Sequence, residues 1–215
     1  MARTIAAALM VALMIRVTPV LAQEAPGPGT VEVTLFPGGS LFFSHSSGHN
    51  ESSFHSYSLG GAIGVNFGRV SLEGELASGI GLAQTLVFGP STYQVATQPL
   101  TTLTGTRPPA MISYTSNVIV PIIGGTRHSV VPYVTAGAGA VTLLQRLEVG
   151  LDGVDTFLAG NVGGGIKWYM RRGMGVRGDY RFTAVQNKQD ASAFFGRDNR
   201  FGHRIYGGVV LILGR

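Results

Sequence analysis

The chain has 215 residues, a formal net charge of +5 and no cysteine. Only 13% of its residues are charged, whereas a typical soluble domain has about a quarter. The lack of cysteine excludes disulfides, thiol chemistry and iron–sulfur sites. The basic residues are scattered and not clustered with aromatics, which argues against nucleic-acid binding. The 32 glycines are too many for a mainly helical protein, because glycine weakens helix interiors.

Residues 1–22 have the features of an export signal. Arg3 precedes an unbroken apolar run from Ile5 to Ile15, and Val20-Leu21-Ala22 provides small residues before Gln23. The run is too short to cross about 30 Å of hydrocarbon. We therefore expect cleavage near Ala22, which leaves residues 23–215 as one mature domain.

The first three predicted strands cover residues 30–43, 56–67 and 70–78. Pro37-Gly38-Gly39 indicates a bulge or bend in the first. The second alternates most clearly, with Leu59 and Ile63 on one face and small residues on the other. Gly68-Arg69 is suited to a tight turn into the third strand.

A long segment of low charge and several prolines, residues 79–109, separates the third strand from a fourth at residues 111–122. The fifth predicted strand covers residues 130–144. Its face assignment stays ambiguous, because residues 135–140 are all small.

The last three predicted strands cover residues 157–170, 174–185 and 202–213. Arg171-Arg172-Gly173 is expected to form the turn between the first two of these. Within residues 174–185 the alternation of apolar and polar side chains is nearly strict, as expected for a strand with two different faces.

The connections alternate in length. They are short after the second, fourth and sixth strands and long after the first, third, fifth and seventh. An even strand number with this alternation is typical of outer-membrane barrels, in which short turns are periplasmic and long loops extracellular. The sequence therefore predicts an all-β fold: an eight-stranded antiparallel up-and-down transmembrane β-barrel in the outer membrane.

Four segments resemble the small outer-membrane β-barrel superfamily that includes OmpA-like, OmpX-like and opacity-type barrels of the porin family. The resemblance implies this fold and insertion by the barrel-assembly machinery, but no particular activity. The segments are Val131-Pro132-Tyr133-Val134-Thr135-Ala136-Gly137-Ala138-Gly139, Gly163-Gly164-Gly165-Ile166-Lys167-Trp168-Tyr169, Gly178-Asp179-Tyr180-Arg181 and Tyr206-Gly207-Gly208-Val209-Val210-Leu211.

Eight charged side chains fall on the predicted inner face, four of each sign. An unpaired charge in a partly dry interior costs several kcal/mol, so we expect them to pair as a structural network. Since an eight-stranded barrel barely holds its own side chains, a closed lumen is favoured over a continuous aqueous pore. The residues are Glu32, Glu73, Glu75, Asp179, Lys167, Arg177, Arg181 and Arg204.

Five aromatic residues are predicted to face outward near the two ends of the strands. Aromatic girdles at the two water–lipid boundaries are a feature of membrane barrels. The residues are Tyr57, Phe67, Trp168, Tyr180 and Phe182.

Residues 44–55 contain three histidines and invite two further hypotheses. Zinc or copper binding requires preorganised ligands, and we expect this segment to be an exposed polar loop instead. Ser44-His45-Ser46 also resembles, loosely, the His-x-Ser arrangement of outer-membrane lipid A deacylases, with Glu51 as a candidate acid. In that family the motif lies towards the C-terminus on a strand surface, so no catalytic residue is assigned here.

Two other segments are weaker signals. Gly163-Gly164-Gly165 does not precede a helix and lacks the Lys-Ser/Thr of a phosphate loop. Residues 187–200 combine Phe194-Phe195 with basic residues, which suits either a surface-binding loop or phenylalanines resting on the barrel rim.

The sequence favours a non-enzymatic outer-membrane protein with a structural or surface-interaction role, no cofactor and no metal. Its expected partners are outer-membrane lipid, lipopolysaccharide and a surface ligand of the long loops, and we expect a monomer. The alternatives are a narrow porin-like conduit for small solutes and a lipid A-modifying hydrolase.

Overall fold

The structure is a computed structural model. It describes residues 25–47, 50–88, 101–104, 110–123, 128–146, 152–171, 173–186 and 200–213. The predicted signal at residues 1–22 lies outside the described residues, as does nearly all of the predicted fourth long loop.

Within these ranges the chain forms nine strands and no helix. None of the described residues belongs to a helix that is long and apolar enough to cross a membrane. The strands are β1 Val31–Ser47, β2 Asn50–Asn66, β3 Ser71–Phe88, β4 Thr101–Thr104, β5 Ala110–Pro121, β6 Val130–Arg146, β7 Asp152–Arg171, β8 Met174–Val185 and β9 Arg200–Leu213.

Eight of the described strands close into a barrel. Each strand pairs antiparallel with its neighbours, and both the β1–β9 and the β2–β3 ladders are formed, so the ring runs β1-β2-β3-β5-β6-β7-β8-β9. The additional short strand β4 pairs only with the far end of β3. The predicted eight-stranded antiparallel barrel is confirmed.

The two ends of the barrel differ. At one end, here called the short-turn end, Gly68 and Gly173 adopt φ angles of 93° and 81°, a backbone region that favours glycine. Phe67 N–H donates to Val70 C=O at 2.8 Å across the first turn. The opposite end, here called the loop end, carries the other connections.

Strands at the loop end continue further than the sequence predicted. The ladder between β1 and β2 extends to Ser47 and Asn50, so the predicted loop 44–55 is mostly a hairpin. The predicted third strand, 70–78, continues as β3 to Phe88 and there pairs with β4. The excursion between β1 and β2 is therefore largely an extended ladder, and the described part of the excursion after β3 adds a ladder between β3 and β4. In the hairpin beyond Phe43 both faces are rich in serine and histidine, so the period-two apolar signal that marks the other strands is missing there. The extension of β3 keeps that period through Ile80, Leu82, Leu86 and Phe88, a signal that the sequence analysis did not use.

The predicted bulge in the first strand is confirmed. The β1–β2 register shifts between Phe36 and Gly39, and Phe36 and Leu41 are both buried inside the barrel although they are an odd number of residues apart. Tyr57 donates its hydroxyl to Pro37 C=O at 2.7 Å. A Cβ at Gly38 would lie 1.9 Å from that hydroxyl, so a larger residue there would displace the Tyr57 ring from this hydrogen bond.

Side chains alternate between the lumen and the outer wall along every barrel strand. The ambiguous predicted strand, β6, points Val131, Tyr133 and Val141 inward, where they are buried. Apolar side chains dominate the outer wall, and Leu35, Ile63 and Leu76 are each more than half exposed. The barrel therefore has a filled interior and an apolar exterior.

Candidate functional site

Arg177, on β8, lies at the centre of a network of charges in the lumen. Its guanidinium contacts both carboxylate oxygens of Glu73 and forms an ion pair with Asp179. Its Nε also donates to the Tyr133 hydroxyl at 2.8 Å, and that hydroxyl in turn donates to Asp179. Arg177 is only 3% exposed, so each of these interactions is formed away from water.

Arg181 continues the network towards the loop end. Its Nη2 donates to Glu73 Oε1 at 2.9 Å, and its Nη1 lies 3.1 Å from Glu75 Oε2. Glu75 also pairs with Arg204 and accepts a hydrogen bond from the Tyr206 hydroxyl at 3.1 Å. The Arg181 Nε and Nη1 groups form no hydrogen bond, so apart from the Nη2 bond this guanidinium is held by its ion pairs with Glu75 and Asp179.

A separate pair lies nearer the short-turn end. Lys167 on β7 forms an ion pair with Glu32 on β1, and the Tyr169 hydroxyl donates to the same carboxylate at 2.6 Å. The Lys167 ammonium is 5.7 Å from the ring centroid of Tyr133, which links this pair to the central network.

The structure thus brings all eight predicted lumen charges inside and gives each a partner of opposite sign. We call these eight residues the charged layer. Four negative and four positive charges leave it formally neutral. Sequence analysis did not assign Tyr133 to this set, because the small residues of β6 hide its alternation.

The interactions of the charged layer cross the lumen. In the ring of eight strands β3 and β8 lie on opposite sides, so the pairs from Arg177 and Arg181 to Glu73 span the diameter. Room for them comes from glycines: a Cβ at Gly165 would lie 2.4 Å from the Tyr133 hydroxyl, and one at Gly163 would lie 3.1 Å from Arg181 Cγ. Glycines of β7 thus serve lumen packing and not phosphate binding.

A second layer of different chemistry fills the lumen at the loop end. Its side chains are buried and apolar, and their burial away from water stabilises the barrel. We call this cluster the apolar layer; it comprises Leu41, Met111, Val141, Leu143, Phe157, Ala159 and Val185. Sequence analysis missed it. The sequence did contain a signal for it. Because Asn161 faces inward, strict alternation along β7 also places Phe157 and Ala159 inward.

Neutral polar side chains also fill part of the lumen. Asn161 donates to Asn117 Oδ1 at 3.0 Å, and Asn117 donates to Thr115 Oγ1 at 3.2 Å. A second apolar cluster, Phe36, Ala62, Ala77 and Tyr206, lies among the charges, and the Arg204 guanidinium stands over the rings of Phe36 and Tyr206. The described lumen is therefore filled by charged, neutral polar and apolar side chains. No described part of it presents a free ionisable group for chemistry.

The predicted boundary aromatics lie on the outer wall. Phe67 and Trp168 lie near the short-turn end, whereas Tyr57, Tyr180 and Phe182 lie towards the loop end. Phe182 stacks on Phe201 with ring centroids 5.7 Å apart and is partly covered, whereas the other four are at least 40% exposed.

Neither histidine hypothesis is tested by the structure, because His49 and the side chain of His45 lie outside what it describes. Within the described part of the chain, no group of three or more metal-ligating side chains comes together. The side chains of Ser44, His45 and Glu51 lie outside what the structure describes, so the proposed Ser–His–acid set is not tested. His55 is described, and its Nε2 lies 2.8 Å from Ser40 Oγ on the outer wall.

Comparisons with known proteins rest on structure alone. No protein-family model matches the chain, and no curated protein does. Neisserial surface protein A superposes with a TM-score of 0.55 and 14% identity, covering 85% of this chain and 95% of that one. The N-terminal barrel domain of Pseudomonas aeruginosa OprF gives a TM-score of 0.50 and 14% identity, with 87% and 100% covered. The chain has the fold of the small outer-membrane β-barrels.

Proposed function

We propose that this chain is an integral outer-membrane protein whose barrel is closed to solutes and acts through its outer surface, without enzymatic activity. The observation that carries the proposal is the filling of the lumen. Charge pairs cross its full width between β3 and β8, and the apolar layer fills it above them.

The outer wall supports placement in a membrane. Its exposed side chains are predominantly apolar through the middle of the strands, with Leu72, Val162 and Ile205 each more than half exposed. Water-exposed sheets instead carry polar side chains on their outer face. A closed barrel satisfies all of its backbone groups internally, which a lipid environment requires.

Orientation follows from the two ends. In membrane barrels of this size the short turns are periplasmic and the longer excursions extracellular, which places the β1–β2 hairpin and the β3–β4 extension outside the cell. These projecting hairpins are the proposed contact surface for lipopolysaccharide and for a surface ligand. A monomer that is inserted by the barrel-assembly machinery fits this picture.

Gel mobility with and without boiling tests the membrane placement. The unboiled outer-membrane fraction is expected to contain a faster or slower band that boiling converts to the mobility of the unfolded chain. Recovery of the protein in the soluble periplasmic fraction, with no heat-dependent shift, contradicts the proposal.

Conductance tests the closed lumen separately. After reconstitution of the heat-modifiable form into a planar bilayer, the proposal expects no stable single-channel current. Reproducible conductance steps would favour the alternative of a narrow conduit for small solutes.

A further inference from the structure

Two histidines flank one phenylalanine on the outer wall near the loop end. Phe42 on β1 pairs with His55 of β2 on one side and with His203 of β9 on the other. Ser40 and Tyr180 complete a group that we call the imidazole patch, consisting of Ser40, Phe42, His55, Tyr180 and His203. The two histidines are distant in the sequence and meet only because the β1–β9 ladder closes the barrel.

Each imidazole has one ring nitrogen engaged by a hydroxyl. His55 Nε2 lies 2.8 Å from Ser40 Oγ, and His203 Nδ1 lies 2.8 Å from the Tyr180 hydroxyl. No described residue engages the other nitrogen of either ring, His55 Nδ1 or His203 Nε2. When a hydroxyl donates to an imidazole, the opposite nitrogen carries the hydrogen, and a protonated ring donates from both nitrogens. A ligand that only accepts hydrogen bonds therefore selects the state in which His55 Nδ1 and His203 Nε2 both donate.

The patch also has apolar surface. Phe42 and Phe201 are 41% and 46% exposed, and Phe182 packs against His203 with ring centroids 5.3 Å apart. Donors lying beside exposed phenylalanines suit an amphiphile, with acceptor oxygens at one end and a hydrocarbon chain at the other.

The height of the patch on the barrel matches a membrane boundary. From His203 to Leu213, at the short-turn end of β9, a strand advances about 34 Å. At a strand tilt of 35–45° this corresponds to about 25 Å along the membrane normal, the height of the apolar band of such barrels. The patch therefore lies where headgroups of the outer leaflet meet acyl chains.

Two other uses of these residues fit less well. Two strand spacings separate the backbones of His55 and His203, about 10 Å, and Phe42 stands between them, so they are poorly placed to share a metal ion at the usual distance of about 2.1 Å. A Ser40–His55 hydrolytic pair needs a third group to orient the imidazole, and no described carboxylate contacts His55. It would also leave His203 unexplained.

We propose that the imidazole patch binds the phosphate-bearing headgroup of an outer-leaflet lipid. His55 Nδ1 and His203 Nε2 donate to phosphate ester oxygens, and Phe42 and Phe201 contact the upper part of the acyl chains. The inference rests on the membrane placement proposed above and adds to it a defined site and a ligand class.

The test uses the full chain in nanodiscs with nitrogen-15 in its histidine rings. Adding phosphatidylglycerol to discs of monogalactosyl diacylglycerol with the same acyl chains is expected to shift the ring-nitrogen signals of His55 and His203. His55→Gln and His203→Gln assign these signals. In native mass spectrometry the double variant is expected to retain phosphatidylglycerol about tenfold less, a change of about 1.4 kcal/mol in binding free energy.

The opposite side of the wall provides a matched control. There Tyr114, Thr142 and Thr156 form a chain of exposed hydroxyls, with 3.5 Å and 2.9 Å between successive oxygens, and no imidazole. Thr142→Val is expected to leave lipid retention unchanged.

Several results would overturn the assignment. Equal ring-nitrogen shifts with galactolipid alone would show that the patch contacts lipid only by apolar packing. Equal shifts with inorganic phosphate would show that the patch binds a free anion and not a lipid. Unchanged retention of phosphatidylglycerol in the double variant would show that the two histidines do not contribute to lipid binding. Loss of the heat-dependent gel shift in the wild-type chain would instead contradict the membrane placement itself, so the two failures can be told apart.

Discussion

The charged layer and the apolar layer fill the same lumen by different physical means. In the charged layer Arg177 and Arg181 reach across the barrel to Glu73, so each contact is directional and each partner depends on the other. In the apolar layer Leu143 and Phe157 contribute volume and buried area. Removing one charge leaves another without compensation in a dry interior, whereas removing one apolar side chain leaves only a cavity. The two layers should therefore respond differently to substitution.

The largest loss of stability is expected for Arg177→Met. This change leaves Glu73 and Asp179 with less compensation, and breaking a buried pair from one side costs about 3–5 kcal/mol. Urea unfolding of the protein in phosphatidylcholine vesicles measures the free energy of unfolding. The triple variant that also carries Glu73→Gln and Asp179→Asn is expected to regain part of the loss. A loss below about 1 kcal/mol would show that water reaches these charges.

Leu143→Ala is expected to cost about 3 kcal/mol by the same measurement. Leu143 is fully buried, and Leu-to-Ala changes in packed interiors cost about 2–5 kcal/mol, depending on how far the cavity collapses. Leu143→Met is the matched control and should cost less than about 1.5 kcal/mol because volume is conserved. Equal losses for both variants would contradict a volume-filling role.

Arg204→Gln is expected to be milder than the Arg177 change, at about 1–3 kcal/mol for a lost hydrogen bond to a charge. Glu75 keeps Arg181 and the Tyr206 hydroxyl as partners after the substitution. A loss as large as that of Arg177→Met would mean that Arg181, which is poorly aligned, does not compensate Glu75.

The smallest effect is expected for Tyr169→Phe, about 1 kcal/mol for one hydroxyl hydrogen bond. Glu32 retains its ion pair with Lys167 when that hydroxyl is removed. A loss of more than about 3 kcal/mol in the free energy of unfolding would show that the Tyr169 hydroxyl, and not Lys167, is the main partner of Glu32.

The sequence predicts the charged layer because period-two alternation is strict in β8, the strand that carries three of its charges. In β8, Arg177, Asp179 and Arg181 alternate with apolar residues, and only one side of a closed barrel can hold them. The partners within the layer are a different matter. Glu73 meets Arg177 because β3 and β8 lie opposite each other across the ring. Which strands lie opposite depends on the number of strands and on closure of the barrel, and the local sequence pattern does not contain that information.

The apolar layer and the β1–β2 hairpin at the loop end were not predicted, for opposite reasons. At Leu143 and Leu144 both faces of β6 are apolar, so alternation disappears. In the hairpin beyond Phe43 both faces are rich in serine and histidine, so there is no apolar period at all. The bulge at residues 36–39 also reverses the alternation of β1, which hides the inward direction of Leu41.

Single-channel conductance of four proteins tests the two-layer closure most directly. They are the wild type, an apolar-layer variant (Leu143→Ala, Phe157→Ala), a neutral charged-layer variant (Glu73→Ala, Arg177→Ala), and their combination, each first shown to be folded by its heat-dependent gel shift. The account predicts that the wild type and both single-layer variants are silent and that only the combined variant conducts. Ohmic current through the wild-type barrel would contradict it.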